Sequence, residues 1–279
     1  MFLTAAVIVA FVAALFVLSA RRREVADTAA IDRRFLVWGG VALPAVVLSV
    51  LLGLNVVTLL EQPDGGELRV EIVGRQYWWE VRYPDGEVVT ANELHIPTGT
   101  DVQFVLNSAD VNHSFWVPQL SGKRDLIPGR TTSLTIRADQ PGRYEGQCAE
   151  FCGIQHANMR FLVIADEPRV FERWLTAEAQ PAVAARTAAQ QRGEETFMNS
   201  SCAGCHTIRG TPATGRVGPD LTHFAARTWV GAGAAPNDRG HLGSWVANAQ
   251  VLKEGNHMPP VEIEAARLPD LLTYLEALQ

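Results

Sequence analysis

Cysteine and methionine are scarce in this 279-residue chain, with four of each. The cysteines fall as two close pairs, Cys148 with Cys152 and Cys202 with Cys205, and none is left over. That excludes a framework of crossing disulfides, so each pair has to be read with its immediate neighbours. Net positive charge is lacking as well, the formal charge being -6. Residues 1–60 hold five arginines against three acidic residues, so the acidic excess lies beyond them, most of it between Glu61 and Glu167. An acidic face suits a basic protein partner and argues against nucleic acid, with plain solubility as an equal alternative. Charge is missing altogether from two long stretches, Met1–Ala20 and Phe35–Leu60.

Those two stretches predict membrane helices, about 1–20 and 36–60, since some twenty apolar residues cross a hydrocarbon core of roughly 30 Å. A cleaved signal peptide would carry its positive charges ahead of the first run, whereas Arg21, Arg22 and Arg23 follow it. Gly39, Gly40, Pro44 and Gly53 inside the second run are residues that membrane helices tolerate. With Arg33 and Arg34 the connecting loop holds five arginines, which places it in the cytoplasm and everything after Glu61 outside. Residues 1–60 therefore read as a two-helix transmembrane hairpin.

From Leu68 to Ala165 short β-rich runs alternate with turn signals: LRVEIVG, QYWWEVRY, EVVTA, ELHI, DVQFVLN, TTSLTIRA, RYEGQC and MRFLVIA. Their spacing predicts an antiparallel Greek-key sandwich over residues 61–168. Residues 169–190 turn alanine-rich and polar, a helix and linker. Residues 191–279 follow as a separate all-α domain, whose last segment has Leu271, Leu275 and Leu278 at helical spacing.

Each cysteine pair sits inside a motif that carries chemistry. GQCAEFCGIQHANM, Gly146–Met159, puts Cys148, Cys152, His156 and Met159 within a dozen residues. Thiolate, imidazole and thioether together select copper over hard cations. Two cysteines four apart on a tight loop can bridge the same pair of metal atoms, and His113 in DVNHSFWVP is the candidate for a further imidazole. The competing reading is a Cys148–Cys152 disulfide with both histidines on the surface. Cys202-Ala-Gly-Cys205-His206 is a CxxCH haem-attachment motif, with two thiols for thioether bonds and His206 for the iron. A thioredoxin-like CxxC would need a preceding strand and an α/β surrounding, and neither is present. Met258, the only methionine after the motif, is the candidate second axial ligand, with His223, His241 and His257 as rivals.

The run Cys-x-Glu-x-Cys-x-x-x-His-x-x-Met, together with NHSFW and the IPGR of Ile127–Arg130, resembles subunit II of the haem-copper cytochrome c oxidases. With the cytochrome c motif behind it, the chain is similar to the caa-type members, in which a class I cytochrome c domain is fused to that subunit. The resemblance implies a cupredoxin-like fold for the sandwich and a binuclear CuA centre. Its ligands would be Cys148 and Cys152 as bridges, His113 and His156 as caps, Met159 as a weak ligand and Glu150 through its backbone carbonyl. It implies covalent haem c, a magnesium ion shared between the Glu150 side chain and subunit I, and electron arrival at Tyr77 or Trp78. It also implies a loop at Gly218–Leu221 that supports the proximal histidine.

The implied activity is that of an oxidoreductase and translocase. Electrons from cytochrome c, or another donor outside a bacterial cell membrane, would pass through haem c and CuA to an oxygen-reducing subunit I, with proton translocation. Subunit I and the other oxidase subunits would be the partners. One departure is Phe35 where the family has a glutamate tied to proton uptake, with Asp32 a weak substitute. The alternatives are a CuA and haem c subunit of a nitric oxide reductase, or a membrane-anchored copper carrier. A quinol-oxidase subunit would have no use for either motif.

Overall fold

The computed structural model describes residues 9–15, 17–18, 33–60, 65–84 and 88–279. The chain divides into two compact units, Met1–Gln62 and Pro63–Gln279.

In the first unit residues 9–15 and 17–18 are helical. The rest of the first expected membrane helix, and the loop with Arg21, Arg22 and Arg23, lie outside the described residues. A helix of 25 residues, Arg33–Val57, is long and apolar enough to cross a membrane. At 1.5 Å per residue it is about 37 Å long. The winding is π-helical over Leu36–Ala42 and α-helical over Leu43–Leu60, which runs past the end of that span. Pro44 has no N–H for the carbonyl of Gly40, and the wider turns in front of it make room for its ring. Large apolar side chains from Phe35 to Val57 are exposed on every face. No other described residue covers this helix, which is apolar all round.

The second unit starts with ten strands: β1 (Leu68–Arg75), β2 (Trp78–Arg82), β3 (Val89–Ala91), β4 (Glu93–Pro97), β5 (Val102–Ser108), β6 (His113–Trp116), β7 (Arg124–Leu126), β8 (Thr132–Ile136), β9 (Gly142–Cys148) and β10 (Arg160–Asp166). They form two five-stranded sheets, β3-β2-β1-β5-β8 and β4-β10-β9-β6-β7. Both sheets send alternate side chains into one core. Trp79 meets Phe161 and Phe115 edge-on with ring centres at 5.2 and 5.8 Å, and those two phenylalanines stack at 4.3 Å. Each such ring buried contributes roughly 1.5–3 kcal/mol.

The sequence pattern predicted an antiparallel sandwich, and the structure departs from it in two pairs. β1 pairs with β5 in parallel, and so does β4 with β10. In both pairs the chain between the partners crosses to the other sheet and returns, which frees the second strand to run in the same direction as the first. β6 and β7, which no strong alternation announces, complete the second sheet beside β9. Helix Pro168–Glu178 then caps the sandwich, with Phe171 buried against its core and Trp174 stacked on His95 at 4.1 Å.

Beyond residue 187 the chain builds a second, smaller core. Helix Ala188–Met198 opens with a capping box in which Thr187 and Gln190 satisfy each other's backbone N–H groups. The short helix Cys202–Cys205, helix Arg239–Asn248 with Asp238 as its N-cap, and helix Leu268–Leu275 follow. The first and last of these helices pack together, Phe197 against Tyr274 with ring centres at 6.1 Å, and Leu271, Leu275 and Leu278 are all buried. The domain is not all-α: a small ribbon pairs β11 (Trp229–Val230) with β12 (Ala235–Pro236), and its turn lies against the sandwich. Arg160 of β10 donates its backbone N–H to the Ala232 carbonyl at 3.0 Å and its guanidinium to the Gly233 carbonyl at 2.6 Å.

Candidate metal centre and haem cavity

The copper candidates meet at one end of the sandwich. His113 opens β6 and Cys148 closes β9, and the pairing of Phe115 with Cys148 brings the two strands together. The loop after Cys148 is tied down by bonds from Ala149 N–H to the Ser114 carbonyl and from Cys148 N–H to the Met159 carbonyl, both 3.0 Å. Cys148 Sγ lies 3.8 Å from Cys152 Sγ, 3.9 Å from His113 Nδ1 and 3.2 Å from the Glu150 carbonyl oxygen. Cys152 Sγ lies 3.9 Å from His156 Nδ1 and 3.7 Å from Met159 Sδ. His113, Cys148, Cys152 and Met159 are buried. The structure thus gathers all six expected donors, and at 3.8 Å the two sulfurs are free thiols, far from the roughly 2.05 Å of a disulfide.

The donor set fits a metal on chemical grounds. Sulfur-to-metal bonds are about 2.3 Å, so an ion bonded to both cysteines has room between them. The hydrogen bond from Cys152 pulls Cys148 down to about 3, while Cys148 and burial raise Cys152. A bound metal ion would compete with protons for both sulfurs.

His113 is held in place from behind. Its Nε2 lies 2.7 Å from an Asp110 carboxylate oxygen, which leaves Nδ1 facing Cys148. Burial pulls the His113 pKa down, but the Asp110 contact and Cys148 outweigh it and the net shift is upward. Such a carboxylate behind a ligating imidazole fixes its tautomer and raises its basicity. Asp110 also accepts from the backbone N–H groups of Gln76 and Val111 at 2.7 Å each. A β-carbon at Gly74 would stand 2.8 Å from the His113 ring, so only glycine leaves space for it. The Glu150 side chain, the expected magnesium ligand, is 3.5 Å from Lys123 Nζ.

The haem-motif residues line a cleft about 880 Å³ in open space and a second lobe of about 500 Å³. Cys205 borders the first and Cys202 the second, while His206, Leu221, Phe224, Trp245 and Met258 border both. A flat, largely apolar cofactor spanning the lobes would meet a thiol in each. His206 Nδ1 donates to the Pro219 carbonyl at 2.7 Å, and burial lowers the ring's pKa, so Nε2 is left as a neutral donor for iron. A β-carbon at Gly218 would come within 2.5 Å of the same ring. Met258 is positioned by its N–H to Asn256 Oδ1 at 2.8 Å and by Gln250, which donates to its carbonyl at 3.0 Å. Of the rival axial residues, His257 also borders the cleft. His223 is 3.0 Å from the Gln180 carbonyl and His241 is 2.6 Å from Asp238, both away from it. Arg227, buried in the cleft wall, has its Nε without a partner, a place that a cofactor carboxylate would satisfy.

One wall of this cleft belongs to the sandwich: Gln76, Tyr77, Trp78 and Asn92. Tyr77 is buried, with its ring centre 6.0 Å from that of His257. Gln76 donates its side-chain amide to the Cys152 carbonyl at 2.5 Å, so the same turn touches the metal loop and the haem cleft. Sequence reasoning had missed Asp110 and Lys253. Asp110 left a faint signal, an acid three residues before the ligand histidine. Lys253 left none, being one half of an ordinary Lys-Glu pair in a loop.

A cupredoxin-like sandwich with a buried thiol, imidazole and thioether cluster, joined to a cytochrome c-like domain, defines a two-domain protein with a candidate copper site and a candidate haem cleft. A family model described as cytochrome C oxidase subunit II, periplasmic domain, matches residues 87–166, and one described as cytochrome c matches residues 190–279. Cytochrome c oxidase subunit 2 of Alkalihalophilus pseudofirmus is 34% identical over 220 residues, 78% of this chain and 64% of that protein. The same subunit of Bacillus subtilis is 32% identical over 200 residues, 68% and 56% of the two chains. That of Branchiostoma floridae is 31% identical over 155 residues, 47% of this chain and 67% of that protein. The chain belongs to the cytochrome c oxidase subunit II family and carries a cytochrome c domain behind the copper-type domain. It spans somewhat less than two thirds of the length of the two bacterial relatives.

Proposed function

We propose that this chain is the electron-receiving subunit of a haem-copper cytochrome c oxidase, loading from cytochrome c and delivering to an oxygen-reducing partner subunit in a bacterial membrane. Cys148, Cys152, His113, His156, Met159 and the Glu150 carbonyl would hold a pair of coppers. Cys202 and Cys205 would fix haem c by thioether bonds, with His206 and Met258 on its iron. Both groups, when bound, supply one-electron redox chemistry at potentials tuned by their ligands and surroundings. The chain's own task is to hold these donors still, in a buried site where little has to rearrange when charge arrives.

The observation that carries the reading is the shared turn. Tyr77 and Trp78 line the cleft of His206 and Met258, and Gln76 beside them bonds the carbonyl of Cys152. Electrons arriving in the cleft would leave it through that turn. The apolar helix Arg33–Val57 would anchor the chain as half of a membrane hairpin, leaving the metal domains outside. Coupling to proton translocation belongs to the assembled enzyme, as does a magnesium ion at Glu150, where Lys123 would have to swing aside.

The test is metal content and electron paramagnetic resonance on the chain matured with haem and copper. The expected result is a copper pair with a mixed-valence signal and a covalent haem on every chain. Cys152→Ser should abolish the mixed-valence signal and leave the haem spectrum intact. A normal copper-pair signal in that variant would overturn the bridging role.

A further inference from the structure

Lys253 is 2% exposed, although it sits in a loop of the haem domain. Its Nζ donates to three backbone carbonyls: Tyr77 at 2.9 Å, Asn158 at 2.6 Å and Gly231 at 2.7 Å. An ammonium has three N–H groups and no acceptor, so this cradle uses all of them. Burying such a group is costly unless it is fully bonded, and here it is. The carbonyls come from three separate segments. Tyr77 belongs to the sandwich turn that lines the haem cleft, Asn158 precedes Met159 on the metal loop, and Gly231 lies in the ribbon turn of the haem domain.

Other directional contacts cross the same boundary, part-buried at Glu93 and exposed at Gln155. Glu93 accepts from the N–H groups of Thr228 at 2.5 Å and Trp229 at 3.2 Å. Gln155 of the metal loop donates to the Glu254 carbonyl at 2.7 Å, next to Lys253. A tether alone would let the haem domain roam and meet the copper domain by chance encounter. A boundary of bonded polar groups holds one arrangement.

We infer that Lys253 is a positioning residue that pins the haem cleft of this chain against its own metal loop, so that the two domains exchange electrons in one fixed pose. The electron-transfer half rests on the function proposed above, and the docking half does not. Without the ammonium, three buried carbonyls lose their donor and the pose loosens into an ensemble.

The experiment uses the matured chain, with a pair of spin labels placed by non-cysteine chemistry on exposed Asp139 and Glu264. Lys253→Met should turn a single narrow label-to-label distance distribution into a broad one. Electron transfer from photoreduced haem to copper should slow about tenfold as the effective concentration of the docked pose falls. Haem content, copper content and the rate at which haem reduces an added small-molecule oxidant should not change. If Lys253→Met does not mature, Glu93→Ala, changed on the sandwich side of the same boundary, should broaden the distribution in the same way. An unchanged narrow distribution in the variant that matures, or an unchanged internal rate with both centres loaded, would overturn the inference. Absence of copper from the parent chain would sink the proposed function instead, and the distance measurement would still decide the docking.

Discussion

The two metal-handling domains solve one problem in opposite ways. The sandwich gathers its donors so that each lies within 4 Å of a cysteine sulfur, on a scaffold whose core is already filled by Trp79, Phe104, Phe115 and Phe161. The haem domain sets its candidate ligands in the lining of an open cleft, and its core of Phe197, Leu242, Leu271 and Leu275 borders that cleft. In the first case the protein makes the site, and in the second the site completes the protein. Both place a glycine against the candidate ligand imidazole, Gly74 beside His113 and Gly218 beside His206, because a ring held by a bond at one nitrogen leaves no room for a β-carbon.

That contrast predicts its own largest effect. Replacing Cys202 and Cys205 together with alanine removes covalent haem, and the helices of residues 188–279 should lose their cooperative unfolding transition in circular dichroism. Stripping copper from the parent chain with a chelator should leave the β signal of the sandwich unchanged. A haem-free domain that still melts cooperatively would break the comparison. A smaller effect is expected from Met258→Ala. Loss of the thioether should lower the haem potential, on the order of 100 mV, and change its visible spectrum without altering copper content. An unchanged spectrum would move the axial role to His257, the other rival at the cleft.

The mildest test sharpens the role of preorganisation in the sandwich. Asp110→Asn keeps the shape behind His113 but removes the carboxylate, and copper affinity should fall about 10- to 100-fold in competition with a chelator. The haem should be untouched. A copper affinity equal to that of the parent would mean that the pairing of β6 with β9 alone holds the imidazole in place.

Much of this was legible beforehand because ligand chemistry is local. A CxxCH run or a Cys, His and Met cluster on one loop can be read without knowing the fold, and β1, β5 and β10 showed themselves by their apolar patterns. β6 and β7 did not, being short and stabilised by the neighbours they join rather than by their own alternation. The parallel pairings were illegible for a related reason: strand direction within a sheet depends on where the chain crosses over, which lies far away in sequence. Asp110 matters only because β6 starts three residues later and turns the His113 ring back onto it.

The sequence by itself determined the donor types, their order along the chain, the apolar span at the N-terminal side and the separation into a strand-rich and a helix-rich part. These depend on composition and on spacing within a few residues. Tertiary structure alone decided that His113 meets Cys148, that the haem cleft borrows a wall from the sandwich, and that Lys253 ends among three carbonyls of three distant segments. Such contacts join residues up to 176 positions apart. Only the packed chain brings them within bonding distance, and no local pattern announces them.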